Sequence, residues 1–140
     1  MYAIGVALQE NGWTLRSGHA QGADTAFEKG AGVKKEIFIA KDAANDHDAM
    51  ALAERFHPAW HRCSRFAKAL HARNGYILLG RDLQTPVKFV VCWTPDGKAS
   101  GGTGQALRIA ADPAYKIPVF NLYDPLALDK LRDFIPETVW

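Results

Sequence analysis

Hydrophobic positions along the 140-residue chain alternate between two spacings, one helical and one nearly continuous. Met1, Ile4, Ala7 and Leu8 share one helical face and Asn11-Gly12 is a stop, which predicts a helix over Met1–Asn11. Trp13–Arg16 reads as a short strand, and Asp24–Lys29 as a helix closed by Gly30 and Gly32. Lys35–Ala40, KEIFIA, carries the β-branched and aromatic residues of a strand. Asp46–Phe56 is amphipathic, with Met50, Ala53 and Leu52 or Phe56 inward. His57-Pro58 breaks it, and a further helix is expected from Ala59 to Arg73. Lys88–Trp93, KFVVCW, is a continuous apolar run of the kind buried on both faces of a parallel sheet. A helix over Thr103–Ala111, a strand over Pro118–Leu122 and a helix over Pro125–Phe134 complete the series. Helix and strand alternate, so the expected fold is α/β, a doubly wound and mostly parallel sheet with ligands at the strand carboxyl ends. Such a sheet normally opens on a strand. This chain opens on a helix and shows four strands where five are expected.

The candidate chemistry lies where two of these strands end. Ser17-Gly18-His19-Ala20-Gln21-Gly22-Ala23-Asp24 links a strand to a helix, and Thr94–Gly104, TPDGKASGGTG, does the same after KFVVCW. A glycine-bearing loop that feeds a helix aims unpaired N–H groups and the positive end of the helix dipole at one spot, which favours an anion such as a nucleotide phosphate. Ser17, Gly18, Gly22, Ala23 and Asp24 are therefore candidate ligand contacts, with a tight strand-to-helix turn as the plain alternative. Asp24 would accept hydrogen bonds from the loop, a ribose or a base rather than meet a phosphate. Gly101, Gly102, Thr103, Gly104 and Gln105 form the second group, with Thr103 as either a helix cap or an anion contact. Trp93 and Thr94 end the strand between them; Trp93 is an edge aromatic or a platform for a base. His19, inside the first loop, is the titratable candidate.

Composition narrows the class. Apolar residues make up 48% of the chain and no apolar run approaches the roughly 20 residues of a membrane span, so one compact domain over residues 1–140 and no membrane partner are expected. Cys63 and Cys92 fall in a predicted helix and a predicted strand, which argues against a disulfide and for a reducing cytoplasm. A net charge of +2 with no basic run gives no support for a large nucleic-acid footprint. His57 and His61 are spaced i, i+4 near Cys63, but no further ligand cluster is evident. Structural roles are expected there and no metal or cofactor. No nucleophile elbow and no C-x-x-C motif is present.

With Ser17–Asp24, Ala72-Arg73-Asn74 and Cys92–Ala106 (CWTPDGK…GGTGQA) in view, the chain resembles the SLOG superfamily of Rossmann-like nucleotide-binding proteins, and its phage-type members most. That superfamily includes the DNA-processing (recombination mediator) protein A family and the LOG phosphoribohydrolases. The resemblance runs from Met1 to Leu122. It implies a nucleotide-type ligand, a cytoplasmic protein (the host cytoplasm for a phage protein), a homo-oligomer such as a dimer, and ligand contacts by Arg73 and Asn74. These two are otherwise read as a helix C-terminal charge and cap. Members usually begin with a strand and a Gly-Ser-Arg loop that this sequence lacks, so the expectation is a natural start upstream of Met1. LOG enzymes carry a catalytic Glu in a PGGxGTxxE block, and alignment of Gly101–Gly104 puts Arg108 there. An Arg cannot stand in for a carboxylate that supports an oxocarbenium-like centre or activates water. The expectation is therefore ligand binding, for sensing or sequestration. A LOG-like phosphoribohydrolase, using Asp24, Glu28 or Asp96, is the first alternative and a single-stranded-DNA-binding mediator the second.

Overall fold

Strands and helices follow one another in the order that the hydrophobic pattern predicts, except that the strand expected over Lys35–Ala40 stops at Ile37 and a short helix, Ala40–Ala43, comes after it. The computed structural model describes residues 1–18, 23–97 and 101–140. Its helices are α1 (Tyr2–Glu10), α2 (Ala23–Ala31), α3 (Ala40–Ala43), α4 (His47–Phe56), α5 (Arg65–Leu79), α6 (Gly101–Ala111) and α7 (Ala127–Phe134), with a 3₁₀ turn at Trp60–Arg62. Its strands are β1 (Leu15–Ser17), β2 (Lys35–Ile37), β3 (Val90–Cys92) and β4 (Val119–Asn121). The protein is thus a mixed α/β fold with parallel strand pairs.

One boundary departs from expectation in a way that matters. The helix expected to end at Arg73 starts later, at Arg65, where Ser64 caps it by accepting from the Ala67 N–H, and it runs on to Leu79. Arg73 and Asn74 are therefore interior to α5 and do not form its C-terminal cap. The run Tyr76–Leu79 supplies the reason: Tyr76, Leu78 and Leu79 are all fully buried, and packing overrides the stop signal of Asn74-Gly75.

β1 pairs with β2 and β3 with β4, both in parallel, and the two pairs do not join. Among the described residues, Trp13–Arg16 does not pair directly with Lys88–Trp93. In a parallel ladder, both backbone groups of a given residue face the same neighbour. The Leu15 N–H donates to the Lys34 carbonyl and the Ser17 carbonyl accepts from Phe38, so Leu15 and Ser17 face β2. The Val90 N–H donates to Pro118 and the Cys92 carbonyl accepts from Leu122, so Val90 and Cys92 face β4. The backbone groups of Arg16 and Val91 consequently face the opposite edges, toward a cavity of about 620 Å³ that both strands line.

The core consists of three apolar clusters. Phe38, Ala43, Ala49, Ala53, Ala72 and Tyr76 join α3, α4 and α5, while Leu78, Leu79, Ile109, Ala110 and Ile117 join α5 to α6. Ile4, Phe27, Leu131 and Ile135 join α1, α2 and α7, with Trp13, Phe89 and Phe120 packed against them. α1 and α2 approach closely at Gly5 and Gly30, where a Cβ on Gly30 would strike the Tyr2 carbonyl. The tail returns to the start of the fold: Asn11 exchanges hydrogen bonds of 3.0 Å with the backbone of Val139, and Trp13 Nε1 donates to Thr138.

The polar centre of the first cluster is a phenol–carboxylate bond. Tyr76 Oη donates to Asp46 Oδ2 at 2.5 Å, while Asp46 Oδ1 caps α4 by accepting from Asp48 and Ala49. The Tyr76 bond, more than any other contact, holds the Asp46 carboxyl below its ordinary value. Burial first, and then the Asp46 carboxylate, push the Tyr76 phenol up to about 12 from 10.0. A bond to a charged group contributes about 1.5–3 kcal/mol, so Tyr76→Phe should lower stability by that order at pH 7. Because the folded pKa is raised, the contribution is complete below pH 10 and is lost as pH rises toward 12. Chemical denaturation should therefore show the wild type and Tyr76→Phe converging over that window, and parallel alkaline limbs would refute the coupling.

Candidate functional site

The cavity between β1 and β3 has an apolar length and a polar end. Trp13, Leu15, Phe27, Ile77, Val87 and Phe89 line the apolar length. Ser17, Gly18, Asp24, Arg73, Asn74, Trp93, Gly102 and Thr103 line the cavity as well, and they gather where β1 and β3 end. The two loops expected to meet at one ligand thus share one cavity. Gly18 and Gly102 are far apart in sequence, and adjacent residues of α5 reach both. Arg73 Nη1 donates to the Gly18 carbonyl at 2.7 Å and to the Phe38 carbonyl at 3.1 Å. Asn74 Nδ2 donates to the Gly102 carbonyl at 3.2 Å.

Gly18 is buried against this contact, and a Cβ there would collide with Arg73 Nη1. Only glycine lets the guanidinium reach the backbone. Burial pushes Arg73 below its ordinary pKa, and the Asp24 carboxylate acts in the other direction. Arg73 remains a cation at any physiological pH. Its Nε is buried and has no hydrogen-bond partner among the described residues. Ala23 opens α2 and Gly101 opens α6, which brings two helix N-termini to the polar end. Trp93 is 46% exposed there, and Thr103 is exposed as well.

Other residues singled out from the sequence take different places. Thr94 is 2% exposed: its hydroxyl accepts from Asn121 Nδ2 at 2.8 Å, and its N–H donates to Asn121 Oδ1 at 3.3 Å. It ties the end of β3 to the end of β4 and does not line the cavity. Gln105 is fully buried and turned to α4, donating to the Ala53 carbonyl at 2.9 Å, and Gly104 is buried behind the loop. Arg108 donates to the Phe56 carbonyl and to Gln105 Oε1, both at 2.9 Å, which fixes α6 against the end of α4. His19 and Gly22 lie outside the described residues. The sequence reading missed Asn121; its signal was a lone amide closing the apolar strand PVFNL.

Among the described residues one group has a metal-type donor set, and it is not the His57–His61 pair. His61 is exposed; His71 of α5 instead joins His57 and Cys63, with donor atoms within 4.8 Å of one another. Cys63 Sγ lies 3.7 Å from His57 Nε2 and 3.7 Å from the Ala59 carbonyl, and His57 Nδ1 accepts from the Ala59 N–H at 3.0 Å. Burial lowers the His71 pKa, and His57, Arg108 and Arg73 lower it further. Local hydrogen bonding already accounts for Cys63 and His57. Both cysteines are free. No helix among the described residues is long and apolar enough to cross a membrane.

Comparison with protein-family models, curated proteins and solved structures finds no match.

The geometry gives Arg73 a structural duty that its place in the sequence did not suggest. Arg73→Ala removes donors to two backbone carbonyls, Gly18 and Phe38, and should cost about 2–3 kcal/mol, a drop of several degrees in Tm. Asn74→Ala, which breaks one neutral bond, should cost about 1 kcal/mol. Calorimetric melts of the two variants check this, and an unchanged Tm for Arg73→Ala would remove the clamp from the argument.

Proposed function

We propose that the polar end of the cavity binds a nucleotide or nucleotide-derived ligand, with its phosphate between the α2 and α6 N-termini. The carrying observation is that Gly18 and Gly102 line one cavity and are each bonded to adjacent residues of α5. Two helix starts directed at one spot give N–H donors and partial positive charge from two sides. Arg73 supplies a full charge at the wall, and Thr103 a hydroxyl. Trp93, exposed at the same end, offers a face on which a base could stack. The resemblance of Ser17–Asp24 and Cys92–Ala106 to SLOG proteins, with their Rossmann-like doubly wound sheet, supports the same reading.

Sensing or sequestration fits better than phosphoribohydrolase chemistry. Arg108, at the position of the LOG carboxylate, is committed to Phe56 and Gln105 and does not line the cavity. Asp24 and Glu36 are the carboxylates that do, and Glu36 faces Arg16 at 3.5 Å.

Titration calorimetry with 5′-monophosphates, diphosphates and the parent nucleosides tests the binding claim. A charge-assisted phosphate contact is worth about 1.5–3 kcal/mol, so each nucleoside should bind at least about tenfold more weakly than its phosphate. Equal affinities would refute a phosphate site. Loss of a general acid or base typically costs about 10²–10⁴ in rate, so base release from bound monophosphates should be absent or very slow. Chromatographic detection of free base at several turnovers per minute would restore the enzyme reading.

A further inference from the structure

We propose that His57, Cys63 and His71 form a zinc site that ties the end of α4 and the turn after it to α5. None of the three lines the cavity, so the inference is independent of the nucleotide reading. Sequence spacing offers His57, His61 and Cys63 with no further donor. The fold leaves His61 exposed and brings in His71 from α5 instead.

The donor set selects the ion. Two imidazoles and a thiol offer nitrogen and sulfur, which suit zinc, whereas magnesium and calcium require oxygen. Cys63 Sγ lies 3.7 Å from His57 Nε2. Bonds of about 2.3 Å to sulfur and about 2.1 Å to nitrogen, at a tetrahedral angle, put two such atoms about 3.6 Å apart. That pair already stands at ligating distance, and all three donor atoms lie within 4.8 Å of one another. The three side chains are half-buried, which leaves them room to close on an ion and leaves its fourth position to water. The segment that carries two of them is fixed at both ends. His57 closes α4, the 3₁₀ turn Trp60–Arg62 leads the chain to Cys63, and the Ser64 side chain then caps α5.

His71 is the member that hydrogen bonding does not explain. Its Nδ1 is buried and has no hydrogen-bond partner among the described residues. A buried ring nitrogen ordinarily meets a donor, an acceptor or an ion. Burial first, and then the neighbouring cations, keep His71 neutral at pH 7, the form that ligates. Those cations have fixed partners of their own: Arg108 holds the Phe56 carbonyl and Gln105, and Arg73 holds the Gly18 and Phe38 carbonyls. A thiolate at Cys63 offsets their charge at the ion. His57 Nδ1 accepts from the Ala59 N–H, which places the proton of the neutral ring on Nε2. On ligation through Nε2 that proton passes to Nδ1, the Ala59 bond is given up, and the Cys63 thiol releases its proton to solvent. Ring packing holds the group together before any ion arrives. The His57 and His71 centroids are 4.5 Å apart, and the Trp60 ring stands edge to face with His57 at 6.3 Å.

The test uses the full chain, reduced and stripped with a chelator, with zinc and cobalt(II) as the probes. The wild type should take up a single zinc ion per chain. Cobalt should give the visible bands of a tetrahedral ion together with a thiolate-to-cobalt charge-transfer band. Even outer-shell partners are worth about 10–100-fold in metal affinity, so His71→Ala and Cys63→Ser should each weaken zinc binding at least about a hundredfold. His61→Ala should leave it unchanged. Alkylation followed by peptide mass spectrometry needs no variant and so does not depend on how the variants fold. Zinc should slow alkylation of Cys63 at least about tenfold relative to Cys92, because the free thiolate is the reactive form. Absence of the charge-transfer band, or of Cys63 protection, would overturn the proposal. So would an unchanged zinc affinity in His71→Ala, or an equal loss in His61→Ala.

Discussion

One turn of α5 determines how the rest of the molecule is arranged. Arg73 and Asn74 are successive residues, so their side chains leave the helix about 100° apart and reach different neighbours. Arg73 takes the ends of β1 and β2 through the Gly18 and Phe38 carbonyls, and Asn74 takes the start of α6 through Gly102. Three residues after Arg73, Tyr76 reaches the capping carboxylate of α4. Four separate elements are thereby referred to a single rigid segment. This matters because the two strand pairs have no ladder in common. In a continuous sheet the hydrogen bonds between strands would set the separation of the two loops. Here helix side chains set it at one end, and aromatic packing with the Arg16–Thr85 bond sets it at the other.

That arrangement has an electrostatic side. A buried guanidinium is costly unless its donors are used, and Arg73 uses Nη1 on two carbonyls while the nearby Asp24 carboxylate favours its charged form. The charge is held in place before any ligand arrives. Preorganised charge spares a ligand the cost of ordering the side chain. The same bonds mean that Arg73 cannot swing out to meet an anion, so an anion must come to it, through the end of the cavity lined by Gly18 and Gly102.

Much of this was legible in the residues. Apart from the short helix Ala40–Ala43, the element order follows from spacing, and Gly18, Asp24, Arg73, Asn74, Trp93, Gly102 and Thr103, which the glycine-bearing loops and the ARN motif point to, line one cavity. What escaped was long-range. Nothing local in GYILL says that a helix should pass through Asn74-Gly75; burial of Tyr76, Leu78 and Leu79 decides it. Thr94 and Gln105 look like ligand contacts because they stand at the two ends of the glycine-bearing loop. Yet Thr94 is claimed by Asn121, 27 residues on, and Gln105 by Ala53, 52 residues back. Pairing of that kind leaves no periodic trace. The His57–His61 spacing points to no pair either, since helical spacing has no force across Pro58 and a 3₁₀ turn, and the residue that meets His57, which the spacing does not reveal, is His71 on another helix.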